Sequence, residues 1–300
     1  MIGIHQRWAT PRFSLPALAL PCAAAFVPAP AAAHGVIGDR FFPATISTDD
    51  PFAADELALP TITSFDHETD IDFDYSKSIV RGFAIEVGIG HVDAKPPGEP
   101  RERGFGNLSI SPSLEVYRNT KHEFIFTTGI ELEVGGTGNR AVAERTSTFT
   151  PTIKFGKGLG DLPDSMKYLR PLAVTGTVGY SIPTAGNETK SIEWGGAIEY
   201  SLLYLQNNVR DQGFSNFVAH VTPVVEFSVS SRTRVGEGGT TGTINPGLIW
   251  SGQYVQLAAE AVVPVNKESG HGIGFIAQLH FYIDDIFPHS LGRPIFGGKK

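Results

Sequence analysis

Residues 123–134 read Glu-Phe-Ile-Phe-Thr-Thr-Gly-Ile-Glu-Leu-Glu-Val, and their alternation decides the fold. Phe124, Phe126, Ile130, Leu132 and Val134 fall on one parity, and Glu123, Thr127, Gly129, Glu131 and Glu133 on the other. Successive side chains of an extended chain point to opposite faces. The stretch is therefore a strand with one apolar and one acidic face. The same rule extends outward along the chain. Leu108, Ile110, Pro112, Leu114 and Val116 alternate with Asn107, Ser109, Ser111, Ser113 and Glu115. Residues 217–230, 255–265 and 273–283 repeat it, with His220, Glu226, Gln256, Glu260, Gln278 and His280 on the polar parity. So do residues 70–76, 83–90, 148–155, 172–182, 192–204 and 241–250.

Many of these segments run to about 10–13 residues, whereas soluble strands average about 5–6 and a tilted bilayer-crossing strand needs about 9–11. Their apolar parity carries no charge, which suits a face against lipid. A soluble sandwich or lipocalin-like barrel would use fewer and shorter strands. The expected fold is all-β, an antiparallel up-and-down transmembrane β-barrel. Mean hydropathy is −0.04, which such a barrel reaches by averaging its two faces.

Loop lengths give the strand count. Outer-membrane barrels join strands by short turns at the periplasmic end and longer loops outside. Residues 78–82, 118–122 and 251–252 are short connections, while 92–105, 135–146 and 266–271 are longer; 156–169 is long where a short one is due. On this parity the strand at 70–76 runs toward the periplasm, so an upward strand must precede it, over 57–65. That makes twelve strands, with ten as the alternative. The expected barrel spans 57–283, with a periplasmic tail at 284–300.

Residues 1–33 contain Arg7 and Arg12, an apolar stretch over 13–27, and Ala31-Ala32-Ala33 before His34. This is the layout of a cleaved secretory signal. Cleavage would discard Cys22, the one cysteine, and leave 22 bases against 31 acids, a net charge of −9. An acidic chain makes nucleic acid an improbable partner. Residues 34–56 then form a periplasmic N-terminal segment that either docks across the barrel mouth or plugs the lumen.

Three short pieces carry a resemblance. They are Phe41-Phe42-Pro43-Ala44-Thr45 leading to Thr48-Asp49-Asp50-Pro51, the turn Gly156-Lys157-Gly158-Leu159-Gly160-Asp161-Leu162-Pro163-Asp164, and Leu169-Arg170-Pro171. Together they resemble proteobacterial outer-membrane β-barrels regarded as transporters, similar to the phenol-degradation meta-pathway (MetA-like) group. The resemblance implies location in the Gram-negative outer membrane and a barrel fold. It brings no catalytic residues.

The lumen-facing parity is expected to carry Asp70, Asp72, Asp74, Glu86, Glu115, Glu131, Glu133, Glu193, Glu199, Glu226 and Glu260, and Glu123 falls on the same side. Lys154, His220, Gln256, Gln278 and His280 complete that lining. An acidic low-dielectric passage concentrates cations. Arg81, Arg118, Arg145, Arg170, Arg232 and Arg234 stand near strand ends and offer a competing reading, in which they fold inward and neutralise the acids.

No metal or other cofactor is expected. Asp70-Ile71-Asp72-Phe73-Asp74 opens like an EF-hand loop, but Tyr75 and Arg81 stand where Gly and Glu are required. No catalytic residue is expected either, since no G-x-S-x-G occurs and the strand histidines face inward. The expected partners are the lipid bilayer, a small solute, cationic where the acidic lining selects it, and the barrel-assembly machinery during insertion. Passage of small solutes is the leading function. A non-conducting barrel that binds a ligand or partner is the alternative, with a lipid-modifying enzyme behind it.

Overall fold

The computed structural model describes residues 35–185, 188–233 and 239–296. The expected signal segment, His34 and Arg234 lie outside them. Twelve antiparallel strands close into a barrel, and the short strand Glu102–Phe105 joins the same sheet by pairing with residues 91–94. The twelve are β1 Glu56–Phe65, β2 Glu68–Val80, β3 Phe83–Ala94, β4 Leu108–Asn119, β5 Phe124–Val134 and β6 Thr148–Gly158. Then follow β7 Leu172–Pro183, β8 Ser191–Tyr200, β9 Val221–Arg232, β10 Thr240–Ser251, β11 Val255–Pro264 and β12 Gly274–Tyr282. Each strand pairs with the next, and β12 closes on β1, with Phe275 opposite Ser64 and Phe281 opposite Leu57. Closure leaves no unpaired edge in the wall.

The twelfth strand, required by loop parity, is β1. Its alternation is weak because the register slips between Ala58 and Thr61, around Pro60. Proline cannot donate to the ladder and is tolerated at such a bulge. Asp66 and His67 join β1 to β2, both with positive φ (45° and 72°). That is the tight hairpin geometry whose twist matches the flanking strands.

Two strands are shorter than their alternation suggested. Residues 192–204 were expected as one strand, but β8 stops at Tyr200 and Leu202–Tyr204 is helical. The Ser201 side chain accepts from Tyr204 N and caps the turn. Residues 217–220 were likewise expected in a strand, but Asn216–Ala219 is helical, with the Ser215 side chain accepting from Val218 N. In both places a serine cap stabilises helical backbone that apolar alternation alone would place in a strand.

The connections after β1, β3, β5, β7, β9 and β11 lie at one end of the barrel. The other end, called here the terminal end, receives the remaining connections together with residues 35–55 and the chain after β12. Helical turns at Asp164–Leu169, Leu202–Tyr204 and Asn216–Ala219 thicken that end. The tail begins with the short helix Ile283–Ile286, and Ile295 and Phe296 donate to Ser78 and Ile79 carbonyls at the end of β2.

The outer face is apolar. Every strand but β1 exposes large hydrophobic side chains there, among them Val87, Leu114, Ile130, Ile153, Val178, Trp194, Val225, Leu248, Leu257 and Phe275.

Candidate functional site

The inner wall is not vacant, because residues 35–55 enter from the terminal end, reach mid-strand and return. Val36–Ile37 and Arg40–Phe41 first pair as a small ribbon. Arg40 is 1% exposed and fastens that ribbon. Its Nε donates to Glu123 at 3.1 Å, its Nη1 to Pro171 O at 2.7 Å, and its Nη2 to Arg170 O. Its guanidinium also lies 4.1 Å over the Tyr204 ring. A planar fork suits this combination of donor bonds and ring stacking. Ile37 and Phe42 pack on Ile125 and Ala173 of the wall, with Phe52 beside them.

Two wall side chains then hold backbone as a neighbouring strand would. Gln256 takes Ala44 N at 3.1 Å and donates to Ala44 O at 2.7 Å. Glu226 accepts from Ile46 N at 2.9 Å, Ser47 N at 2.8 Å, Thr48 N at 3.1 Å and Ser47 Oγ at 2.8 Å. Ile46 packs on Ala197, Val224, Ile249 and Ala258. Asp49 reaches Lys154 at 3.0 Å. On the return, Thr127 donates to Pro51 O, Glu115 accepts from Ala53 N at 3.3 Å, and Asp55 takes Ser78 N at 3.0 Å and pairs with Lys77. Within this segment burial, reinforced by the charge of Glu56, pushes the Asp50 carboxyl up to about 7.

Beyond the tip of the segment the interior opens into a polar cavity of about 540 Å³. Its lining includes Asp49 and Asp50 from the segment, Glu56 from β1, Asp72 and Asp74 from β2, and Glu86 from β3. Ser111, Ser113, Thr61, Thr63, Thr243, Asn245 and Gln278 add neutral polar surface, and Lys154 and His280 complete it. His280 Nε2 stands 3.2 Å from Glu56 Oε2. Gln278 donates to Thr61 Oγ1 at 3.0 Å.

The structure thus brings together Asp72, Asp74, Glu86, Lys154, Gln278 and His280 from the expected lining. Glu199, Glu226, Gln256 and Glu260 are buried on the wall, and Glu226 and Gln256 hold the segment. Glu133 accepts from Asn107 at 2.8 Å and Glu193 from Ser230 at 2.9 Å. Asp70 is partly buried, Glu131 is exposed, and neither is among the residues lining this cavity. His220 does not line it either. It caps Asn216–Ala219, with Nδ1 2.7 Å from Asn216 O. Tyr204 is 8% exposed and lies beneath the Arg40 guanidinium.

Arg81, Arg118, Arg145 and Arg170 do not line the cavity. Arg118 pairs with Glu115 at 3.5 Å and Arg170 with Asp164 at 2.7 Å, both at the terminal end, while Arg81 and Arg145 are exposed. Arg40, Asp49, Asp50, Glu56 and Asn245 were absent from the expected lining. The segment has no period to reveal its side chains, but Val224 and Ile249 on an otherwise polar parity are the trace it leaves in the wall.

No family model matches the chain, and no curated protein matches it. Two solved barrels resemble it weakly. A KdgM porin matches with a TM-score of 0.46 at 12% identity, over 76% of this chain and 98% of that one. A NanC porin matches with a TM-score of 0.48 at 8% identity, over 76% and 99%. The barrel itself is established by its strand pairing, independently of either likeness.

Proposed function

We propose that the chain is a Gram-negative outer-membrane β-barrel, exported through a cleaved signal peptide and inserted by the barrel-assembly machinery. In this reading it passes small solutes with a preference for cations. Its lumen is narrowed from the periplasmic side by residues 35–55. The apolar outer face supports a lipid surround, and the resemblance of residues 41–51 and 156–171 to MetA-like barrels supports the location. Both ends of the described chain lie at one end of the barrel, which suits a periplasmic placement of the segment and tail.

One observation carries the cation preference. The cavity lining holds Asp49, Asp50, Glu56, Asp72, Asp74 and Glu86 against the single lysine Lys154, which is already paired to Asp49. Such a wall concentrates counter-ions and repels anions. The test is the reversal potential of the full chain in planar bilayers under a KCl gradient. A potential of the sign set by K⁺ supports the reading, and one set by Cl⁻ overturns it.

A second reading is favoured by the bonds that hold the segment in place at Arg40, Gln256 and Glu226. A barrel so occupied would bind a ligand without conducting. Bilayers that stay silent with well-inserted protein would select it.

A further inference from the structure

Two connections at the terminal end fold back onto the outside of the wall. Trp194, Ile198 and Tyr200 share the outward parity of β8, and the first two are exposed. Tyr200 Oη donates to Tyr168 O at 3.1 Å, which seats the turn Asp164–Leu169 against that outer side. Leu248 and Trp250 share the outward parity of β10. The Phe217 ring stacks on Trp250, with centroids 5.6 Å apart and planes at 23°. The turn Asn216–Ala219 therefore leans outward as well.

Both turns carry the apolar outer face past the ends of the strands. Met166, Tyr168, Leu169, Phe217 and Val218 are exposed there, Phe217 to 65%. A contiguous apolar patch of this kind marks a surface that meets a partner or a membrane. This one continues the apolar wall, so the lipid that surrounds the wall also reaches the turns. Polar-tipped rings such as tyrosine suit the level at which hydrocarbon gives way to headgroups.

Charge supplies a second observation. Lys167 Nζ lies 5.4 Å from the centre of the Tyr168 ring. The Arg210 side chain donates to the Tyr168 hydroxyl. Two cations thus flank one exposed tyrosine, and among the described residues neither is paired with a carboxylate. The acids close to them in sequence are engaged elsewhere. Asp164 pairs with Arg170 at 2.7 Å, and Asp211 accepts from Gly213 N at 2.8 Å. Long basic side chains lay their stems on apolar surface and hold their heads in the polar layer above it. The complement of this arrangement is a lipid whose headgroup is negative.

We propose that Asp164–Leu169 and residues 201–219 form a docking surface for anionic phospholipid. Lys167 and Arg210 take the headgroup phosphate, and Met166, Tyr168 and Leu169 meet the start of the acyl chains. The inference rests on the membrane-barrel reading and goes beyond it by naming a lipid class and the residues that select it.

The test uses the full mature chain in detergent micelles doped with phosphatidylglycerol or phosphatidylcholine, followed by native mass spectrometry. The unaltered chain should retain phosphatidylglycerol about tenfold more strongly, as befits two cations near an anionic headgroup. Lys167→Gln with Arg210→Gln should bring retention down to the phosphatidylcholine level. Lys121→Gln, on another connection at the same end, should leave it unchanged. Inorganic phosphate should not displace the lipid, because it lacks the acyl chains. Equal retention of the two lipids, retention indifferent to Lys167 and Arg210, or displacement by inorganic phosphate overturns the proposal.

A second measurement places the surface in the membrane. The one cysteine, Cys22, precedes the expected cleavage site, so Met166→Cys gives the mature chain a single labelling position. A fluorophore there should be quenched in vesicles by headgroup nitroxides and shielded from aqueous iodide. Free access of iodide means that the surface faces water, and overturns the proposal. Insertion into vesicles without a preference for phosphatidylglycerol would reject this surface and leave the barrel reading intact. Selective retention of phosphatidylglycerol by a chain that never inserts would do the reverse.

Discussion

Asp74 on β2 lies opposite Gly88 on β3, and its carboxylate occupies the space where a side chain on Gly88 would begin. Asp72 and Gly90 repeat the arrangement one inward position along. The acidic strand and the glycine strand are thus two halves of one device, which lets carboxylates lie against the wall instead of filling the lumen. Glycine within a strand often marks such a close approach.

Replacing glycine by alanine inside a strand usually stabilises it by about 0.5–1 kcal/mol. At Gly88 the opposite is expected, a loss of about 1 kcal/mol, since the Asp74 carboxylate must be displaced. Urea unfolding in micelles measures this. Gly106→Ala is the control, because a Cβ there meets only the Gly90 carbonyl, at 3.7 Å. Equal effects at both positions would contradict the close-approach account.

Glu226 is fully buried and holds three successive backbone amides of the segment. Bonds to a charged acceptor contribute about 1.5–3 kcal/mol each. Glu226→Ala should raise hydrogen exchange at Ile46, Ser47 and Thr48 by roughly tenfold or more. Amides in the middle of β10 should keep their protection. Unchanged exchange at the tip would show that Ile46 packing alone holds it.

Arg40 and Glu123 form a buried pair at 3.1 Å. Removing one partner of such a pair costs about 3–5 kcal/mol. Arg40→Ala should therefore destabilise the terminal end and expose the segment to protease. Arg40→Lys should recover little, because an ammonium cannot serve Glu123, Pro171, Arg170 and the Tyr204 ring together. Full rescue by lysine would assign the effect to charge alone.

Asp50 gives the segment a pH dependence. Its carboxyl titrates near 7 when docked, against about 3.9 in a free chain. A raised acid pKa means the docked state retains its proton longer. Docking is then strongest below about pH 4, weakens as pH rises toward 7, and levels off above that. Accessibility of the segment to protease binding, compared at pH 5 and pH 8, should rise at the higher pH. Asp50→Asn should flatten its share of that rise, and an unchanged rise would assign it to other groups.

Most of the wall was legible in the sequence, because a strand turns successive side chains to opposite faces, and here the outward ones are apolar and the inward ones mostly polar. Even β1, whose pattern Pro60 disrupts, followed from loop parity. The errors fell where alternation was accidental: Phe217 and Ala219 keep the rhythm, but the Ser215 cap makes them helical. The interior was legible only in part. Alternation shows which side chains face inward and not what meets them there. The partners of Glu226, Gln256 and Lys154 come from residues 44–49, more than 100 positions away for each, on a segment without period. The clue available was local: Val224 and Ile249 place apolar surface on a polar face, and Ile46 covers it. The pieces that carry the family resemblance also proved to be neighbours. Gly156 lies against Pro51 and Phe42, and Arg170 and Pro171 accept from Arg40.

The central claim is that the acidic cavity sets what passes. Its most direct test compares reversal potentials in a KCl gradient for the unaltered chain and a variant carrying Asp72→Asn, Asp74→Asn and Glu86→Gln together. The unaltered chain should give a potential of the K⁺ sign, and the variant should fall most of the way to zero. A Cl⁻ potential from the unaltered chain, or a variant that keeps the full K⁺ preference, would contradict it.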